Sequence, residues 1–111
     1  MIQVQVNTDH HIQGGESLNA SVTRLVEQAI GRFESQLTRV ELHLNDVNSH
    51  KGGDADVRCM IEARITGHEP IAVTEHAVNV EQAVRQAAAK MERALDSVIG
   101  KRQERDRQGR P

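Results

Sequence analysis

Six histidines and one cysteine are the residues of this 111-residue chain best suited to holding a metal or moving a proton. Their spacing supports neither. His10 and His11 are adjacent, while His43, His50, His68 and His76 fall in separate segments, and no H-x-x-x-H, C-x-x-C or H-E-x-x-H pattern occurs. Ligands so scattered rarely converge on one ion. Cys59 lies at an apolar position of an alternating run, where a small buried thiol is expected. There is no nucleophile elbow, no phosphate-cradling glycine loop and no carboxylate pair in a recognisable motif. The glycine pairs at 14–15 and 52–53 read as turn residues. The sequence therefore predicts no enzyme, no cofactor, no metal and no small-molecule substrate. Base stacking is also weakly provided for, because Phe33 is the only aromatic residue and lies on an apolar helical stripe. What is left is cationic chemistry, in which Lys and Arg meet phosphates or the shape of a structured RNA.

The cations are unevenly distributed. Residues 1–100 hold 9 Lys and Arg against 14 Asp and Glu, whereas residues 101–111 hold five against two. The body is acidic and the end is basic. A basic arm can displace counterions from a phosphate backbone without reading sequence, and a mixed-sign end can equally be a solvated extension of the last helix. Length predicts one domain, with residues 1–100 as its body and 101–111 as a basic C-terminal extension. The lone cysteine rules out an internal disulfide framework and fits a reducing cytoplasm. No apolar run is long enough to span a membrane, and MIQVQVNTDHH lacks the basic start and apolar stretch of a secretory signal.

Hydrophobic periodicity supplies the elements that must carry these charges. Ile2, Val4 and Val6 alternate with glutamines as a first strand, followed by a polar loop. Ser17 or Asn19 can cap a helix with its stripe at Val22, Leu25, Val26, Ala29, Ile30 and Phe33. Val40, Leu42 and Leu44 alternate as a second strand. Val57, Cys59, Ile61, Ala63 and Ile65 share one face of a third, and Pro70 opens a short fourth containing Ile71 and Val73. Asn79, with Gln82 three positions on, forms the capping box of a closing helix with apolar positions at Val80, Val84, Ala87, Met91, Leu95 and Val98. Each strand has a polar face, so both helices must cover the same side. A right-handed first crossover makes strands one and two parallel. The expected fold is α+β, in the order β-α-β-β-β-α.

The opening IQVQV, the helix ending AIGRFESQL, the strand VELHL and the closing NVEQAVRQAAAKMERALDSVIGKR together resemble the ribosome hibernation-promoting factor and ribosome-associated inhibitor family, also described as ribosomal subunit interface proteins. In the last helix the matching positions are Asn79, Ala83, Lys90, Met91 and Arg93. The resemblance covers residues 1 to about 102 and is to the short form, without the additional dimerising domain of long members. It implies a double-stranded-RNA-binding-like domain that docks on the small ribosomal subunit through rRNA and inhibits translation in stress or stationary phase. The contact residues it implies here are Arg24, Arg32, Arg85, Lys90, Arg93, Lys101, Arg102 and Arg105. Two features depart from the family: the acidic body, and Glu81 where members tend to carry an aromatic. A second reading is therefore a protein–protein adaptor that keeps the fold without strong rRNA binding.

Helical geometry places Arg24, Gln28 and Arg32 on one flank of the first helix, with Glu27 and Glu34 on the other. On the closing helix Lys90, Arg93 and Lys101 oppose Glu81, Glu92 and Asp96. With the helices as parallel neighbours, Lys90 and Arg93 are expected near Glu27 and Glu34, and Arg24 and Arg32 at the outer edge. The positive field would then be divided.

Overall fold

A computed structural model describes residues 3–9, 12, 15–47 and 56–108, with side chains to residue 101. His10, His11, Gly14, His50 and the glycine pair at 52–53 lie outside the described residues, as do the side chains of Arg102 and Arg105. The elements are β1 (Val4–Thr8), α1 (Glu16–Ile30), a 3-10 turn (Gly31–Gln36), β2 (Leu37–Asp46), β3 (Val57–Ile65), β4 (Ile71–Ala77) and α2 (Val80–Gln108). The chain is α+β in the expected order. One sheet runs β1-β2-β3-β4, parallel between β1 and β2 and antiparallel elsewhere. α2 continues to Gln108, so Lys101, Arg102, Arg105 and Arg107 prolong the helix.

Strand alternation builds the core. Val40, Leu42 and Leu44 of β2 meet Ala63, Ile61 and Cys59 of β3 in register, and all six are buried. Val22, Val26 and Ile30 from α1 and Ala83, Val84, Ala87, Met91, Leu95 and Ile99 from α2 cover them, with Val4 and Val6 half-buried at the margin. Both helices therefore lie on one face. Burial lifts the Cys59 thiol from 9.0 to about 12, so it stays protonated and poor as a nucleophile or metal ligand.

Three local features differ from the sequence reading. α1 begins at Glu16 with Gly15 as its N-cap and no side-chain cap, so Ser17 and Asn19 lie inside the first turn. Gly15 has φ 137°, a region closed to side chains with a Cβ, and its conformation rather than a hydroxyl sets the entry to the helix. The α-helix also stops at Ile30, and the apolar stripe reaches Phe33 through a 3-10 turn that still buries the ring. Finally, β2 carries an irregularity: Leu37 pairs with Ile65 but Arg39 with Arg64, which leaves Thr38 as an extra residue whose hydroxyl donates to the Arg64 carbonyl. The bulge lets Leu37 and Val40 both reach the core while Arg39 stays on the open face. Asn79 does cap α2, its Oδ1 accepting the Gln82 amide at 2.8 Å.

Candidate nucleic-acid interface

The two helices run parallel, with α2 on the β4 side of α1. Their N-terminal halves enclose an open cleft of about 450 Å³. Leu18, Val22, Leu25 and Val80 form its floor, and Arg24, Gln28, Glu81 and Arg85 stand around it. Arg85 is held by Glu81 one turn earlier, at 3.1 Å. Arg24 makes no ion pair among the described residues.

At the other end of the interhelical seam, the Arg32 guanidinium lies 3.7 Å from Glu92 and 3.6 Å from Asp96. It also stacks over Phe33, 4.1 Å from the ring centroid. This reverses the expected pairing. The flank of α1 carrying Arg24, Gln28 and Arg32 is the one turned towards α2, and the flank of α2 turned towards α1 carries Glu81, Arg85, Glu92 and Asp96. Rotational sense about each stripe does not say on which side the neighbouring helix lies. Lys90 points away from α1, with its ammonium 3.3 Å from the Thr74 carbonyl and 3.5 Å from Glu75 of β4. Arg93 and Lys101 are exposed and have no ion pair among the described residues.

The field is divided nonetheless. Residues 16–36 and 80–101 together hold six basic and six acidic side chains. On the helices, the cations that no carboxylate of the described chain offsets are Arg24 at one end of the pair, and Arg93 and Lys101 towards the other.

The open face of the sheet has a second charged layer, which attention to the helices alone passes over. Arg39 donates to Gln5 and lies 3.4 Å from Glu41, and Arg64 lies 3.8 Å from Glu41 and 3.4 Å from Glu62. Arg39 Nε is buried and makes no hydrogen bond. The signal for this layer was the alternation of β3, which sends Arg58, Met60, Glu62 and Arg64 to the face away from the helices. Arg39 and Arg64 are offset there by Glu41 and Glu62, whereas Arg58 is exposed with no ion pair among the described residues. Among the described residues no group of three metal-binding side chains converges, and no helix is long and apolar enough to cross a membrane. With Phe33 buried, the surface can offer charge and shape but no aromatic platform.

Residues 4–103 match the family model described as Sigma 54 modulation protein / S30EA ribosomal protein. No curated protein is similar enough in sequence to count as a match. Among solved structures, the N-terminal domain of Protein Y from Thermus thermophilus superposes with a TM-score of 0.70 at 13% identity, covering 88% of this chain and 99% of that one. A ribosomal subunit interface protein from Coxiella burnetii gives 0.68 at 11% identity, covering 89% and 99%. At such identities these likenesses establish the fold.

Proposed function

From the premise that the chain belongs to the Sigma 54 modulation protein / S30EA ribosomal protein family, we propose that it docks on the small ribosomal subunit through rRNA phosphates and inhibits translation in stress or stationary phase. The family match across residues 4–103 carries this reading. Arg24, Arg93 and Lys101, together with Arg102 and Arg105 on the last turns of α2, are its main phosphate contacts. Arg32, Arg85 and Lys90 contribute less, because carboxylates of the same chain already hold them. The protein inhibits by occupying ribosomal RNA surface, so the interaction needs neither base stacking nor a catalytic group.

The balanced helix charges favour weaker binding than a lysine-rich surface would give, and they are the observation behind a second reading, a protein–protein adaptor. Sedimentation of the tagged protein with an excess of small subunits separates the two. Ribosome docking predicts co-sedimentation that weakens steeply as salt rises, and that falls further on deletion of residues 101–111. A protein that stays at the top of the gradient at low salt is the adaptor.

A further inference from the structure

The sheet has two edges, and they are built differently. At β4 the edge is guarded: Pro70 precedes the strand, Glu75 and His76 lie within it, and the Lys90 ammonium sits on the Thr74 carbonyl. Charge, proline and an occupied carbonyl are the usual means of blocking further strand addition. At β1 none of these is present among the described residues. Residues 3–8 (QVQVNT) carry no charge and no proline, and are rich in strand-forming types.

The backbone of β1 shows what its edge offers. The Gln3 carbonyl accepts the Val40 amide and the Asp9 amide donates to the Leu44 carbonyl, each at the end of the parallel ladder with β2. Alternation between those ends commits Gln5 and Asn7 to β2 as well. The amides and carbonyls of Val4, Val6 and Thr8 therefore point away from the sheet. Three donors and three acceptors lie in a row, on a strand whose Val4 and Val6 side chains are only half-buried.

We propose that this edge pairs with the β1 edge of a second copy of the chain, antiparallel about a two-fold axis through Val6. The register is self-complementary, as a two-fold contact requires. Val6 faces Val6 of the second copy, and Val4 faces Thr8, so all six outward groups on each strand are used in six hydrogen bonds. On the helix side the half-exposed valines become covered. On the open face Gln5 meets Asn7 of the second copy, amide against amide, with no like charges opposed. The result is one eight-stranded sheet with all four helices on one side. The α1 flanks that approach each other carry Glu16 and Glu27, so added salt strengthens this association. That sign is opposite to the one for phosphate docking, and the dimer does not depend on the ribosome reading.

Sedimentation velocity of the full chain between roughly 1 µM and 1 mM tests the proposal, across the range where weak self-association shows as a concentration-dependent mass. Thr8→Pro removes an outward amide while leaving every bond to β2 intact, and an edge strand tolerates the ring. It should raise the dimer dissociation constant roughly tenfold or more, since two of the six hydrogen bonds vanish. Gln5→Lys with Asn7→Lys opposes like charges across the axis and should abolish the dimer, whereas Gln5→Glu with Asn7→Lys should restore it. Thermal unfolding confirms that each variant is folded, and if Thr8→Pro is not, the charge pair decides. A wild-type chain that is monomeric throughout, or a dimer indifferent to the charge reversal, overturns the proposal.

Discussion

Arg32 offers the sharpest test of how the helix charges govern phosphate binding. Its guanidinium is shared by Glu92 and Asp96 at 3.7 and 3.6 Å. Replacing these by Gln and Asn keeps shape and removes both negative charges. The cost to folding is small. The three side chains are 55%, 42% and 66% exposed, so solvent screens each pair to at most about 1 kcal/mol. The stacking of Arg32 on Phe33 survives as well. Binding should change far more. A freed guanidinium that reaches one rRNA phosphate gains a hydrogen bond to a charged group, worth about 1.5 kcal/mol at the solvated end of the range, or roughly tenfold in affinity. One further phosphate also steepens the dependence of log K on log salt by about 0.7–0.9. The assay is binding of labelled protein to purified small subunits at four or five salt concentrations. Glu92→Gln/Asp96→Asn should bind more tightly at low salt with a steeper slope, and adding Arg32→Gln should return both to wild type. Unchanged affinity and slope in a folded double variant would refute the argument that these carboxylates mask Arg32.

Phe33→Ala should lower stability by ~3–5 kcal/mol, because the ring is 4% exposed and closes the core below the 3-10 turn; urea denaturation reads this directly. Asn79→Ala should cost about 1 kcal/mol by orphaning the Gln82 amide, and hydrogen exchange in the first turn of α2 should quicken. Cys59 should resist a thiol reagent at pH 8 until the chain is unfolded. Its pKa is raised on folding, so the unfolded chain deprotonates first. The stability it contributes is complete below about pH 9 and declines by about 1.4 kcal/mol per pH unit as the pH rises towards about 12. Denaturation between pH 8 and 11 should show wild type falling more steeply than Cys59→Val.

Element order, sheet order and the side covered were legible because each rests on one repeated signal. Val57 to Ile65 alternate without interruption, and the stripes of both helices keep helical spacing. What escaped was set by single residues or by handedness. A glycine cap leaves no mark like Ser or Asp, so Ser17 and Asn19 carry a stronger capping signal than Gly15, which holds the position. The bulge at Thr38 inserts one residue into an otherwise regular alternation, and it shows only in the pairing of Leu37 and Arg39 with Ile65 and Arg64 of β3. The basic residues were identifiable by type, but their availability was not. Arg32 and Arg24 share a flank, yet only the former meets carboxylates, because Glu92 and Asp96 approach from a helix about sixty residues further along the chain.

The length of α2 has a mechanical consequence. Its last buried side chain among the described residues is Ile99, and the helix then runs nine residues further with no apolar group, beginning at Gly100, around which no atom would meet an added Cβ. At 1.5 Å per residue the overhang is about 13 Å of rod. Core packing clamps everything up to Ile99, whereas beyond it the sequence offers no apolar side chain to pack, and a glycine at the junction costs about 1 kcal/mol relative to alanine. α2 is thus an anchored beam with a cantilever. A contact made at the tip transmits little torque to the sheet, because the junction gives before the core does. Gly100→Ala would stiffen that junction, turning a tethered cluster of charges into a rigid spur whose bearing is fixed by the fold.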